Sequence, residues 1–233
     1  MQALTNGELL GLWERGRDRG PVGRALALAD AALPAMPPQQ CLALDIGERN
    51  AAVLALRRAT FGTRLDGRLN CPGCGEPLEF ELDAAALAAP ASDAAEELIA
   101  GGLCFRMPNS RDLIAAARCA DAESGARALF ALCCLDTPPA SGWPADLVAE
   151  IEAAMESRAD LSDVALALTC AACGHAWTAH LDICAYLWDE IAQRAELLLD
   201  DVHRLAIAYG WDEQHILQMS DARRAAYLER CDA

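Results

Sequence analysis

No lysine occurs among the 233 residues, so all 19 fixed side-chain cations are arginines, set against 35 carboxylates for a formal net charge of −16. Non-specific binding to a phosphate backbone draws on clustered Lys and Arg, and this balance excludes it as the main activity. Aromatic residues are also scarce, at 5%, although hydrophobic residues reach 54% and many of them are alanine. That combination favours many small-faced helices over a large β-sandwich. No uninterrupted apolar run approaches the ~18 residues of a membrane span. The opening stretch, MQALTNGELLGLWERGRDRG, lacks the basic start and apolar middle of a secretory signal, so a cytoplasmic location is expected. In that reducing compartment eleven cysteines, an odd number, do not read as a disulfide framework.

Four of those cysteines carry the strongest pattern in the chain. Cys71 and Cys74 lie in CPGCGEPLEF, and Cys170 and Cys173 in TCAACGHAW, each pair two residues apart with a glycine directly after it. Such a step is half a metal site: a tight turn aims two thiolates at one centre, and Gly75 or Gly174 relaxes the backbone beneath it. Two halves complete a tetrahedral set. The spacing is unusual, because 95 residues lie between Cys74 and Cys170, where sites of this type leave about 15–20. The pattern predicts a zinc ribbon with an insertion. The other seven cysteines, Cys41, Cys104, Cys119, Cys133, Cys134, Cys184 and Cys231, sit mostly among Ala and Leu at helical spacing and read as small buried apolar residues.

Periodicity divides the chain into an N-terminal helical region over 1–62, a split ribbon over 63–83 and 161–182, a mostly helical insertion over 84–160, and a C-terminal helical region over 183–233. The fold class is therefore α+β and mostly helical. Thr5 and Glu8 form a capping box for a helix over 6–17, Pro21 opens a second, LPAMPPQQ reads as a loop, and a third helix covers about 47–60. In that third helix Val53, Leu54 and Leu56 face the core, and Arg49, Arg57 and Arg58 are expected to face solvent. Around both cysteine pairs the period changes to two, which predicts hairpins with the cysteines at their tips.

Inside the insertion, Glu96 to Met107 predicts a further hairpin about Gly101-Gly102. Asn109 or Ser110 is expected to cap a helix reaching about Ala120, with further helices over 122–135 and after Trp143-Pro144. A long amphipathic helix is expected from Cys184 to Tyr209, with Leu187, Ile191, Ala195, Leu198, Val202, Leu205 and Ile207 on its buried side. Gly210 ends it, Asp212 starts a short helix, and Ser220 or Asp221 caps the last one.

Three chemistries compete for the cysteine pairs. A redox dithiol needs a single pair with a depressed pKa, usually at a helix N-terminus, whereas here two pairs follow strands. A catalytic zinc needs an open ligand position, which four thiolates close. A structural zinc accounts for the duplication and the glycines, with Cys71, Cys74, Cys170 and Cys173 as ligands of one ion. His175 and His180 lie nearby, but four cysteines already saturate the metal. No catalytic residue and no bound organic cofactor is expected.

LLGLWERGRDRGPVGRALAL, ERNAAVLALRRATFG, CPGCGEPLEFEL, CAACGHAW with LDICAYLWDEI, and HRLAIAYGWDEQHIL with RRAAYLERC span nearly the whole chain. Together they resemble the T-even-type phage baseplate protein family, found in contractile phage tails and phage-tail-like extracellular contractile injection systems. The resemblance implies a non-enzymatic role in building the baseplate or hub, as an assembly chaperone or a minor component. It implies baseplate, hub, spike or tube proteins as partners, with neither nucleic acid nor membrane. It also places the protein in the cytoplasm of the producing bacterium or in the assembled particle. By analogy Tyr209, Trp211, Ile216, Leu217 and Tyr227 form a protein-docking element. The alternative class is a zinc-ribbon accessory of transcription or RNA handling, which requires a basic strip along 63–82 or 170–182, where only Arg64 and Arg68 stand.

Overall fold

Most helix starts among the described residues are set by short polar side chains that satisfy orphan backbone N–H groups, and others open on or beside a proline. The computed structural model describes residues 1–87, 98–139, 142–158 and 160–231. Thr5 caps α1 (Asn6–Gly16) through the expected box: the Glu8 N–H donates to Thr5 Oγ1 at 3.3 Å, and the Thr5 N–H donates to Glu8 Oε2 at 2.8 Å. Helix α2 (Pro21–Ala32) opens on its proline, and α4 (Ile46–Phe61) has a second capping box from Asp45 and Glu48. Between them LPAMPPQQ is not wholly a loop. Pro38 supplies the φ of a first helical turn, and α3 (Pro38–Cys41) forms there.

Among the described residues the strands come as three separate antiparallel pairs. β1 (Arg64–Asn70) pairs with β2 (Pro77–Asp83), β3 (Leu98–Ala100) with β4 (Leu103–Phe105), and β5 (Val164–Thr169) with β6 (Ala176–Leu181). The expected hairpin about Gly101-Gly102 is β3–β4, although Glu96 and Glu97 lie outside the described residues. Helix α5 (Ser110–Ala116) is capped by Asn109 and stops four residues short of the expected Ala120, with 3-10-type bonds from the Arg118 and Cys119 amides to Ala115 O and Ala116 O closing its end. Helix α6 (Ala122–Cys133) also ends early, because Cys134 bridges Phe105 and the Leu135 N–H donates to Cys104 O at 2.8 Å. Helix α7 (Ala145–Glu156) and a 3-10 turn at Asp160–Ser162 lead into β5.

Helix α8 (Ile183–Tyr209) ends at Gly210 in the left-handed conformation, φ 67°, as its C-cap. Helices α9 (Glu213–Gln218) and α10 (Asp221–Cys231) follow. The fold is α+β with small antiparallel hairpins, 55% helix against 16% strand, so helices carry most of the packing.

The main core joins α1, α2, α4 and α8 to the bases of the first and third hairpins. Leu12, Leu28, Val53, Leu56, Leu187, Ile191 and Leu198 are buried there, and Leu65, Val164 and Ile183 tie in the strands. A smaller cluster, Leu98, Ala100, Phe105, Phe130, Cys133 and Ile151, lies within the 84–160 stretch. That stretch also joins the N-terminal helices. The Ile46 N–H donates to Pro108 O at 3.1 Å, and Arg111 Nη2 to Gln39 O at 2.7 Å.

Two arginines expected in solvent are buried instead. Arg49 donates to Asn50 Oδ1 and Ser110 Oγ, while Arg57 meets Glu190 at 2.6 and 2.9 Å and Gly62 O at 2.8 Å. Polar partners make that burial affordable. Only Arg58 of the three is exposed. Ile207, expected in the buried stripe of α8, is 73% exposed, because two residues after buried Leu205 the helix has turned by about 200° and Ile207 stands on the face opposite the core. Among the described residues, no buried side-chain nitrogen or oxygen lacks a partner.

Candidate metal centre

Both cysteine turns are built the same way. In the first, Cys71 N–H donates to Glu76 O at 2.9 Å and Gly75 N–H to Cys71 O at 2.8 Å; in the second, Cys170 N–H donates to His175 O and Gly174 N–H to Cys170 O, both at 2.9 Å. Gly75 and Gly174 sit at φ 77° and 74°. A Cβ at either would meet nothing within 4 Å, so it is the left-handed backbone, not space, that calls for glycine. The Gly73 N–H also points at Cys71 Sγ, 3.4 Å away.

The turns bring all four Sγ atoms within 4.8 Å of one another. Cys71 and Cys173 are 3.7 Å apart, and so are Cys74 and Cys170. A tetrahedron of thiolates at ~2.3 Å from a zinc ion has edges of about 3.8 Å, so the cage has the right size. Cys71 and Cys170 are buried at 2% and 1% exposure, while Cys74 and Cys173 are exposed. Each hairpin thus supplies one inner and one outer thiol.

The crowded thiols cannot all ionise together. The backbone N–H groups of Cys173 and Ala172 pull Cys170 down to about 7. At Cys74 the backbone N–H of Glu76 favours the thiolate, but contacts with Cys173 and the other sulfurs, together with desolvation, disfavour it and take the group up to about 12. A divalent cation here would replace the shared protons and let every sulfur become a thiolate, so loading would release protons and weaken in acid.

The hairpins share no strand pairing, so the cysteine cage is where their tips meet. Their bases rest on helices. Tyr186 of α8 accepts from the Asp66 N–H at 3.0 Å and donates to Asp66 O at 2.8 Å, holding β1. Asn50 of α4 donates to Leu161 O at 2.8 Å, just ahead of β5. Neither neighbouring histidine belongs to the cage: His175 lies stacked along Trp177, and His180 Nδ1 is 2.6 Å from Asp163 Oδ1.

The suggested docking residues fall into two groups. Tyr209, Trp211 and Tyr227 form one aromatic cluster, with ring centroids 4.5 Å apart for Tyr209–Trp211 and 4.8 Å for Trp211–Tyr227. Leu217 is half-buried against the main core, and Ile216 is fully buried. Ile216 therefore closes the junction of α8 and α9 and presents nothing to a partner. Buried Arg49 and Arg57 are the structurally committed polar residues that helical pattern alone missed; their partners, Ser110 and Glu190, lie 61 and 133 residues away.

Of the seven other cysteines, Cys41, Cys133 and Cys184 are buried as expected, whereas Cys104, Cys119, Cys134 and Cys231 are half-buried. Burial pushes both Cys133 and Cys184 up to about 11, which keeps them as thiols. Among the described residues no helix is long and apolar enough to cross a membrane. No protein-family model matches the chain, and no curated protein or solved structure matches it.

Proposed function

We propose that the four cysteines hold one structural zinc ion and that the protein is a non-enzymatic assembly factor, a chaperone or minor component of the baseplate or hub of a contractile tail or injection system. The cage carries the metal part of this reading: four sulfurs lie within 4.8 Å of one another, two pairs of them at 3.7 Å, and four thiolate ligands on one zinc would leave no position for water or substrate. Zinc at such a site serves as a clasp. It contributes on the order of 10–16 kcal/mol in small zinc-finger peptides, enough to hold short hairpins that share no sheet. The tail-assembly part rests on the resemblance of the quoted segments. The electrostatics agree with a protein partner, since Arg64 and Arg68 on the first hairpin pair with Glu81 and Glu79 and make no basic strip.

The metal is tested by elemental analysis of the purified protein, with one zinc per chain expected. Cys71→Ser and Cys170→Ser are expected to lose the metal and to aggregate or melt at lower temperature. Wild-type protein that is folded, fully reduced and metal-free in the presence of zinc would overturn the clasp; iron in place of zinc would correct the ion and keep the site. Affinity capture from the producing cell tests the role. Sheath, tube, hub or spike proteins are the expected catch, and RNA polymerase or RNA without any tail component overturns it.

A further inference from the structure

Among the described residues, the most exposed large apolar side chain is Ile207, at 73%. It does not stand alone. Leu197, 57% exposed, lies on the same outer side of α8, and Gln193, Leu197, Asp200, Arg204 and Ile207 follow one another at intervals of four, three, four and three residues. That is the spacing by which one helix presents a seam to another. The seam points away from the core side marked by Leu187, Ile191, Leu198 and Leu205. Helix α10 packs on a different flank, through Arg224 to Asp201 at 2.8 Å and Arg194 to Asp221 at 2.7 Å, and among the described residues Gln193, Leu197, Asp200 and Ile207 stay exposed while Arg204 is half-buried.

The seam is symmetric in both shape and charge. The midpoint of Leu197 and Ile207 is residue 202, and so is the midpoint of Asp200 and Arg204. Laid antiparallel against a copy of itself about that point, Leu197 faces Ile207 and Asp200 faces Arg204, twice over. Laid parallel, Asp200 faces Asp200 and Arg204 faces Arg204. Arg204 already has a partner within the fold, but a guanidinium has five N–H donors and can accept a second carboxylate.

We propose that this face of α8 binds the same face of a second copy of the chain, antiparallel, about a two-fold axis at residue 202. The match of charge to its own opposite is the argument for a second copy over an unrelated helix, and an isologous contact of this kind closes on itself as a dimer. From Gln193 to Ile207 the seam is about 20 Å long. Such a contact is at the small end of specific interfaces and gives a reversible dimer. This inference is independent of the zinc and of the tail partners.

Sedimentation equilibrium of the metal-loaded, full-length protein from about 5 to 200 µM tests it, across the range where a small interface associates. The wild type is expected to move from one chain mass toward two. Ile207→Glu and Asp200→Arg, both at exposed positions, are each expected to weaken association by about tenfold or more. Asp200→Arg combined with Arg204→Asp restores the antiparallel match and is expected to recover the dimer. Circular dichroism and zinc content report whether each variant is folded. A wild type of single-chain mass throughout overturns the proposal. So does a dimer indifferent to Ile207→Glu and Asp200→Arg, or a folded double variant that stays monomeric.

Discussion

Arg57 is only 3% exposed, and its charge is tolerated because Glu190 meets it with both carboxylate oxygens. Removing one member of such a pair costs more than removing both, since the survivor is left buried without its counter-charge. Glu190→Ala is expected to lower unfolding stability by about 3 kcal/mol, measured by urea denaturation. Arg57→Met together with Glu190→Leu should recover most of that loss; a double variant as weak as the single one would mean that packing, not charge, dominates. Asp112 shows the same logic in milder form. Burial alone would raise its carboxyl, but bonds from Arg106 and from the Asn109 N–H outweigh it and hold the group below the usual range. At this scale the gathering of Cys71, Cys74, Cys170 and Cys173 into one cluster was legible, because each pair's turn is written within a few residues and the same turn occurs twice. The burial of Arg49 and Arg57 was not, because it depends on Ser110 and Glu190, far along the chain.

Element contacts turn on a few glycines. Gly16, in the last turn of α1, lies under the Trp188 ring of α8, where an added Cβ would come within 2.3 Å of a ring carbon. Gly16→Ala should therefore force α1 away from α8 and cost about 1–3 kcal/mol, although alanine is the better helix former. A variant as stable as the wild type in thermal melts would show that the α1–α8 contact gives way freely. Helix and strand positions were largely readable from caps and periodicity, as with Thr5 and Glu8 of α1 or the alternation flanking both cysteine turns. Ends were harder. Helix α6 stops at Cys133 because the following residues are recruited by β4, a cause that lies outside the local sequence. Ile207 is a different case: its helical phase, about 180° from Leu198, already sets it on the outer face of α8.

For the whole molecule, acid acts through many groups in one direction. Glu8, Asp112, Asp121, Asp212 and Asp221 are all held below their ordinary pKa by backbone or arginine donors. Their stabilisation is complete above the unfolded carboxylate values of about 3.9–4.3 and is lost as pH falls through the lower folded ones. With a metal in the cage, protons competing for its thiolates would add to the same loss. The urea midpoint is expected to hold between about pH 7 and 5 and to fall below about pH 4; a midpoint that rises on acidification would contradict these assignments. The cage also orders events in time. Its two halves are 95 residues apart, and at ~5–20 residues per second a ribosome needs about 5–20 s to make that stretch. The first cysteine pair therefore waits as half a ligand set while the insertion is made, and a metal in this cage would be gripped by all four sulfurs only after the whole insertion has left the ribosome.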